Sequence, residues 1–325
     1  MASTTTSTVT VEAPGDPPTV TFTDRPARDP GPGEARVRVT AVAVTAPEAR
    51  LAAGRPDRLG RRLGVRLPWV PGWDIAGVVD RTGPGVTGLA VGDRVHGTLG
   101  APGQDGAAAL HTVVPASMLA PVPAAIDDDA AAILAGAGTR AWRVLQAAPV
   151  GRGDEVLLTH AGTPTGRLLV GIATVGGARV SAVVPGPHAS GPVRTAGATT
   201  GLADPDAPYA AIVGQVDLVV TAIDDDTPRT EYHPMHQALA AVARGGALVC
   251  LETPPPEDAA ARRVRTPTVD RRPDATATAA VAAVAAAGDL SVPVDATFAW
   301  TDAAAALARV AAAPDDAVVL LAPSG

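Results

Sequence analysis

Residues 156–184 (VLLTHAGTPTGRLLVGIATVGGARVSAVV) constrain the fold of this chain more than any other stretch. A short apolar run, Glu155–Thr159, ends in small residues. Thr165–Gly176 then carries apolar residues at helical spacing, and Arg179–Val184 is a second apolar run rich in β-branched residues. Strand, small-residue turn, helix and strand within about 30 residues form a βαβ unit. Because such a turn presents backbone N–H groups and a helix N-terminus to a pyrophosphate, we predict a nucleotide-binding unit with an altered turn.

Length and composition limit the size and the partners of the protein. The chain has 325 residues, 46% of them hydrophobic, which is enough for two domains with cores of their own. The formal net charge is −7, which argues against nucleic acid as a partner. The sequence contains no lysine and no asparagine, so each of the 26 Lys or Arg positions is arginine. A Schiff-base or general-base lysine is therefore excluded.

Membrane association, secretion and disulfide chemistry find no support in the sequence. No apolar run reaches the roughly 18 residues that span a bilayer. Residues 1–10 (MASTTTSTVT) lack the charged segment and the apolar segment of a signal peptide, so we expect a cytoplasmic protein. The single cysteine, Cys250, excludes an internal disulfide and a cluster of thiolate zinc ligands.

The order of strand and helix patterns changes along the chain. Strand patterns dominate Glu34–Val44, which alternates in polarity, and Pro68–Gly100, where strands are separated by Gly-Pro and Gly-Asp turns. Strands and helices alternate from Val156 to Leu251, and both occur near the C-terminus. This order predicts an α/β domain inserted into a β-barrel-like domain.

An arginine-rich segment follows the first long strand pattern. We expect a loop at residues 54–66 (GRPDRLGRRLGVR), which contain Arg55, Arg58, Arg61, Arg62 and Arg66. Two interpretations stay open. The loop attracts an anionic substrate or carrier, or it is a solvated surface segment, as charge runs commonly are.

Nearly the whole chain resembles a known superfamily. Residues 71–97 (PGWDIAGVVDRTGPGVTGLAVGDRVHG) look like the medium-chain dehydrogenase/reductase superfamily, in its zinc-free quinone oxidoreductase and enoyl reductase branch. Residues 127–145 look like the helix that leads into the cofactor domain, and residues 151–166 like its nucleotide loop. The resemblance implies an α/β protein in which a Rossmann-like, doubly wound parallel sheet domain is inserted in a β-rich GroES-like barrel domain. We expect the GroES-like domain at 1–125 and 287–325, and the Rossmann-like domain at 126–286.

The same resemblance implies an activity and a set of cleft residues. Members of this branch reduce a quinone or an α,β-unsaturated carbonyl compound with NADPH, and a hydroxyl or water protonates the product. Zinc members use Cys and His–Glu ligands, whereas this chain has Val44 and Thr45 at the first cysteine and Trp73–Asp74 at the His–Glu pair. We therefore expect no metal. The candidate catalytic residues are Thr45, Glu48, Trp73 and Asp74, although Asp74 also suits a buried hydrogen-bonding role and Trp73 a cleft wall.

The nucleotide loop departs from the family pattern Gly-Ala-x-Gly-Gly-Val-Gly. The corresponding residues here are His160 to Gly166, and the candidate cofactor-binding residues among them are His160, Gly162, Thr163, Pro164, Thr165 and Gly166. Gly166 keeps the glycine that permits close helix–strand packing, and proline suits the first turn of a helix. Thr163 places a β-branched side chain where phosphates approach the backbone. His160 donates to a phosphate, crowds it, or has drifted in an unused loop.

Other cofactor contacts differ as well. Arg140 stands where the family has a threonine that faces the nicotinamide, and Asp224 and Asp225 replace two glycines after the fourth strand. An ion pair between Arg140 and one of these aspartates is a structural explanation. The second strand ends without an acid for a ribose 2′-hydroxyl, which argues against NAD. His188 and Arg194 are the candidates for contact with a 2′-phosphate.

Three functions remain compatible with these residues. The first is an NADPH-dependent reductase of a quinone or enone, acting on a small molecule in secondary metabolism. The second is a redox-neutral enzyme, such as a cyclase or dehydratase, that has lost cofactor use. The third is a non-catalytic homologue. Because several family members join their cofactor-domain sheets edge to edge, we expect a homodimer through an edge near Arg263–Val269.

Overall fold

The computed structural model describes residues 4–56, 58–100, 106–184, 190–202, 208–222 and 234–322. Its strands are β1 (Thr5–Ala13), β2 (Thr19–Pro26), β3 (Glu34–Val44), β4 (Asp74–Thr82), β5 (Arg94–Thr98), β6 (His111–Pro115), β7 (Ala120–Pro121), β8 (Glu155–Leu158), β9 (Arg179–Val183), β10 (Thr200–Leu202), β11 (Val216–Thr221), β12 (Val242–Cys250), β13 (Ala296–Ala299) and β14 (Val318–Leu321). Its helices are α1 (Ala46–Ala52), α2 (Arg58–Leu63), α3 (Asp128–Ile133), α4 (Thr139–Ala147), α5 (Pro164–Val175), α6 (Ser190–Thr195), α7 (Tyr209–Val213), α8 (Pro234–Ala241), α9 (Ala275–Ala286) and α10 (Ala303–Ala312). A π-helical turn, Leu134–Gly138, lies between α3 and α4.

The chain divides into two compact units. Unit 1 comprises Met1–Thr139, Arg272–Ala286 and Val292–Gly325, and unit 2 comprises Arg140–Arg271 and Ala287–Ser291. Unit 2 therefore interrupts the sequence of unit 1, as the order of patterns predicts. We expect the inserted domain at 126–286, whereas the main segment of unit 2 begins at Arg140 and ends at Arg271. The reason is that α3 packs on β3 and β4, and α9 contacts β5 and β7, so both helices belong to unit 1.

Unit 1 is built on a mainly antiparallel sheet. Its strands lie in the order β13, β14, β3, β4, β5, β7, and β6 also pairs with β3. The long strand β3 is the centre because it pairs antiparallel with β14, β4 and β6. Its buried valines, including Val37 and Val39, fill the core, as the alternating pattern predicts. The β1–β2 hairpin joins this unit through hydrogen bonds from Val9 N to Ala108 O (2.9 Å) and from Val11 N to Trp69 O (2.7 Å).

Unit 2 is a parallel sheet with the strand order β10, β9, β8, β11, β12. Its paired strands run parallel throughout the described residues. The order moves outward from β8 in one direction and then reverses at β11, which is the doubly wound arrangement of dinucleotide-binding domains. The α/β prediction, with a Rossmann-like domain inserted in a GroES-like one, is confirmed. Beyond β12, Arg265 continues the pairing, with Leu248 N donating to Arg265 O (2.8 Å) and Arg265 N to Gly246 O (2.9 Å).

The arginine-rich segment differs from its prediction. We expect a loop at residues 54–66, but helix α2 occupies Arg58–Leu63. The arginines and glycines of this segment hide any helical periodicity in its sequence. Over the stretches of chain that the structure describes, none of the helices combines the length and apolarity that crossing a membrane requires.

Candidate functional site

The carboxyl ends of β8 and β11 meet where the strand order of unit 2 reverses. Thr159 follows β8 and Thr221 ends β11, and their hydroxyl oxygens lie 2.9 Å apart in the interior. The Thr159 N–H donates to Val220 O at 3.0 Å, which fixes the start of the loop against β11. In open parallel sheets, ligands bind outside the carboxyl ends of the strands at such a switch point. The loop from Thr159 to Gly166 therefore lies where a ligand of unit 2 is expected.

The backbone of this loop keeps the form of a nucleotide loop. A Cβ on Gly166 would lie 2.7 Å from both His160 O and the Ala161 Cα, so only glycine fits there. His160 has φ 58°, in the left-handed region that normally selects glycine. A non-glycine residue in this region costs roughly 1–2 kcal/mol, so the surrounding loop imposes the conformation. The exposed His160 side chain places Nδ1 3.3 Å from Thr159 Oγ1.

Thr163 acts as the cap of helix α5. Its Oγ1 accepts a hydrogen bond from Gly166 N and donates one to His160 O, both at 3.1 Å. Pro164 is the first helical residue and has no N–H. The sequence suggests that Thr163 mainly crowds the phosphates. The structure adds that its hydroxyl satisfies one of the donors that the helix would otherwise offer to an anion.

An ion-pair cluster lies at the carboxyl edge of the sheet in unit 2. The Arg140 guanidinium contacts Glu252, two residues after the end of β12, and Glu252 Oε2 lies 3.7 Å from Arg271 Nη2. Arg143 Nη1 lies 3.5 Å from Asp270 Oδ2. The described partner of Arg140 is thus Glu252, which sequence reasoning missed. Its position just after a strand of the parallel sheet is the signal that points to it.

Three of the residues proposed for the cofactor site cannot be placed. His188, Asp224 and Asp225 lie outside the described residues. Arg194 lies on α6 with an exposed side chain. Of the loop residues, Gly162 is buried and Thr165 is partly buried.

In unit 1, Glu48 joins the start of α1 to the turn before β4. Its side chain is 1% exposed. Oε2 accepts hydrogen bonds from Thr45 N (3.2 Å) and Thr45 Oγ1 (2.6 Å), and Oε1 accepts one from Gly72 N (2.6 Å). Burial, with a smaller contribution from the Asp74 carboxylate, raises the pKa of Glu48 from 4.5 to about 7, although hydrogen bonds from Thr45 and Gly72 lower it. We expect Glu48 to line a cleft, but the structure buries it in the interior, hydrogen-bonded to the partly exposed Thr45.

Trp73 and Asp74 are also buried, at 6% and 7% exposure. The Asp74 carboxylate packs on the π-helical turn so closely that a Cβ on Gly136 would overlap both of its oxygens. This position agrees with a buried polar contact rather than with a base open to substrate. The Trp73 Nε1 has no hydrogen-bond partner among the described residues. In the same residues, no group of three or more His, Cys, Asp or Glu side chains is arranged to hold a metal ion.

Comparisons with known proteins place the chain in a family. The sequence profile of the alcohol dehydrogenase GroES-like domain matches residues 31–124, and that of the zinc-binding dehydrogenase family matches residues 197–315. Together the two profiles cover more than half of the chain and both of its units. The chain therefore belongs to the medium-chain dehydrogenase/reductase superfamily.

Individual relatives agree with this assignment. A mycocerosic acid synthase-like polyketide synthase of Mycobacterium tuberculosis is 35% identical over 173 residues, which is 53% of this chain and 8% of that protein. A 2-haloacrylate reductase of a Burkholderia species is 35% identical over 144 residues, covering 43% of this chain and 41% of that one. The quinone oxidoreductase of Coxiella burnetii has the same fold, with a TM-score of 0.84, 19% identity, and coverage of 98% and 99% of the two chains. The chain thus spans less than half of the length of each of these two sequence relatives.

Proposed function

We propose that the protein is a zinc-independent, NADPH-dependent oxidoreductase that reduces a carbon–carbon double bond conjugated to a carbonyl group, as in an enone or a quinone. The observation that carries the proposal is the loop backbone at the switch point of unit 2. Gly166 has no room for a Cβ, and His160 adopts the left-handed conformation of a glycine. The names of the 2-haloacrylate reductase and the quinone oxidoreductase support a substrate with an activated double bond.

The residues of unit 2 fit a dinucleotide at this loop. Helix α5 directs its N-terminus, the positive end of its dipole, toward the carboxyl edge of the sheet, where a pyrophosphate is stabilised. Gly162, Thr163, Thr165 and Gly166 would hold the phosphates, with His160 beside them and Arg140 toward the nicotinamide. A reduced nicotinamide supplies the hydride when bound. The absence of an acid in the described end of β9 favours NADPH over NADH.

A catalytic zinc ion does not fit the corresponding residues of unit 1. Thr45, Trp73 and Asp74 offer a hydroxyl, an indole and a carboxylate, whereas zinc is held by thiolate, imidazole and carboxylate ligands. The Asp74 carboxylate is also buried and packs directly against Gly136. We therefore propose that the carbonyl is polarised without a metal.

Cofactor titration tests the proposal. We expect NADPH to bind with a micromolar Kd in calorimetry and NADH to bind more weakly. Thr163→Gly should tighten NADPH binding about fivefold, or roughly 1 kcal/mol, because it releases Gly166 N from the hydroxyl and removes a β-branched side chain. Thr163→Ser is the matched control, since serine keeps the cap and should leave the Kd unchanged. No binding of NADPH at millimolar concentration would show that the proposed function is wrong.

A redox-neutral reaction on the same fold is the second candidate, and two contacts favour it. The Thr163 hydroxyl satisfies a donor at the start of α5, and Arg140 is engaged by Glu252. The Gly166 N–H and the Arg140 guanidinium are thus occupied by partners within the protein, although a bound dinucleotide would need them as hydrogen-bond donors. This candidate replaces the first if the folded protein binds neither NADPH nor NADH.

A role in secondary metabolism is also a proposal. It is supported by the match to a mycobacterial polyketide synthase, of which the chain spans 8%. Incubation with NADPH and an enoyl thioester, compared with the corresponding free acid, would show whether a carrier-like thioester is preferred.

A further inference from the structure

Glu48 contributes a carboxyl group to an otherwise apolar cavity of unit 1. The cavity has a volume of about 10 Å³, which is room for roughly one water molecule. The rest of its described wall comes from β1, β3, the Pro71–Gly72 turn, Ala108, α10 and β14, and it carries no charged residue. A carboxyl group in these surroundings binds its proton more firmly than one in water, because the charged form loses its hydration.

The hydrogen bond between Glu48 and Thr45 links this buried carboxyl to a partly exposed residue. Thr45 Oγ1 lies 2.6 Å from Glu48 Oε2, so a proton can lie on either side of the contact. When Glu48 is a carboxylate, the Thr45 O–H donates to it. When Glu48 is protonated on Oε2, the carboxyl donates to Oγ1, and the Thr45 proton becomes free to point elsewhere.

The other contacts of Glu48 hold this pair in place. The backbone N–H groups of Thr45 and Gly72 donate to the carboxyl at 3.2 and 2.6 Å, which fixes its orientation. The Asp74 carboxylate on β4 is the charged group whose field acts on Glu48. Helix α10 presents Ala303 and Leu307 to the cavity. Helix α2, which also packs on α1, carries Arg58, Arg61 and Arg62, of which Arg61 donates to Pro56 O.

We propose that Glu48 and Thr45 form a proton relay, in which Glu48 stores a proton in the interior and Thr45 delivers it to the reduced substrate. The relay rests on the proposed reductase function. Hydride addition to the β-carbon breaks the C=C π bond and leaves an enolate. The Thr45 O–H bond then breaks as a C–H bond forms at the α-carbon, or an O–H bond on a quinol oxygen. Oγ1 takes the proton of Glu48, and water reprotonates the carboxylate before the next turnover.

In this relay the two residues have different roles. Thr45 is assigned the catalytic role, because in the proposal its hydroxyl is the group that meets the substrate. Glu48 is a positioning residue that acts through Thr45. The two electrons of the reduction come with the hydride, so the pair moves a proton alone. Burial raises the pKa of Glu48 to about 7, so a large fraction of the molecules still hold the proton on Glu48 near neutral pH.

Infrared difference spectroscopy tests the proton store without cofactor. We expect a protonated carboxyl band that disappears with a midpoint near pH 7, is absent in Glu48→Gln, and shifts in frequency in Thr45→Val. The exposed pair Thr21–Glu12, joined at 2.7 Å, is a control of the same chemistry. Glu12→Gln should leave the band unchanged. The relay is overturned if the protein shows no protonated carboxyl band near neutral pH. It is also overturned if the frequency of the band is the same in Thr45→Val as in the wild type.

Steady-state kinetics with NADPH and but-3-en-2-one test the transfer. We expect kcat to fall above about pH 7 in the wild type and to fall about 100-fold in Thr45→Val, with activity largely restored in Thr45→Ser. Glu48→Gln should remove the pH-dependent limb, and Glu12→Gln should keep it. If Thr45→Val retains full kcat, Thr45 is not the donor. If NADPH is neither bound nor oxidised, the reductase function falls, while the infrared titration still decides whether the pair stores a proton.

Discussion

The pKa of Glu48 is set by two opposing contributions, the cost of burying its charge and the hydrogen bonds that the charge accepts. Burial of a carboxylate costs several kcal/mol, and hydrogen bonds to a charged group return roughly 1.5–3 kcal/mol each. Glu48 receives hydrogen bonds from Thr45 N, Thr45 Oγ1 and Gly72 N, yet its pKa still rises to about 7. Desolvation, with the Asp74 carboxylate nearby, therefore outweighs these donors, and the residue is adapted to hold a proton.

The stability of the protein should depend on pH through Glu48. Its pKa is raised from 4.5 to about 7 on folding, so the folded state binds this proton more tightly. The stabilisation is fully present below about pH 4.5 and is lost as the pH rises through 7, by roughly 3 kcal/mol in total. The check is thermal unfolding of Glu48→Gln and the wild type at pH 5 and pH 8. Between pH 5 and pH 8 the wild type should lose more stability than Glu48→Gln, which has no proton to release at this position. An equal difference at both pH values would contradict this prediction.

The residues of the loop show what sequence alone reveals about the site. Gly166 is identified correctly as a close-packing glycine because its motif position has a fixed steric role. The role of Thr163 as a cap is missed because the family pattern leads one to read a replaced glycine as steric damage. Glu252 is missed because its contact with Arg140 joins residues that are far apart in sequence and belong to no motif.

At the scale of elements, the π-helical turn Leu134–Gly138 is a departure from regular helix in the described part of unit 1. It connects α3 to α4, and its Gly136 packs against the Asp74 carboxylate. Single π-helical turns occur frequently at functional sites. Apolar periodicity predicts the helix on either side, since buried residues recur along it. The turn itself leaves no periodic signal, and its contact with Asp74 depends on tertiary packing.

Gly136→Ala should destabilise the protein although alanine is the better helix former. A Cβ at this position would overlap the buried Asp74 carboxylate, which must then move away from its present contacts. We expect a loss of about 2 kcal/mol or more in chemical denaturation, against a gain of up to about 1 kcal/mol from helix propensity. The matched control is Gly191→Ala on α6, where nothing lies within 4 Å of the new Cβ, and which should keep or slightly raise the stability. Equal effects of the two substitutions would contradict the steric explanation.

At the scale of the whole molecule, the order of patterns along the chain predicts the insertion of one unit in the other. Alternating strands and helices require crossover connections, which is why the parallel sheet is predictable from sequence. The position of α9 is not predictable, because its sequence (ATATAAVAAVAA) is small and apolar on every side. Such a helix has no polar face to show which unit it packs on. We therefore expect α9 in the Rossmann-like domain, whereas it belongs to unit 1, and the main segment of unit 2 ends before it at Arg271.

The edge of the sheet in unit 2 leads to a proposal about assembly. Arg265 pairs with β12, and Thr266 and Thr268 lie exposed beyond it, with Pro267 between them. An exposed strand edge is a template for pairing with a second copy. We propose a homodimer joined through this edge, so light scattering should give twice the mass of the chain. Because proline cannot donate a hydrogen bond, Thr268→Pro should yield monomers, whereas Thr268→Ser should stay dimeric. A monomeric wild type, or a dimeric Thr268→Pro, would exclude this interface.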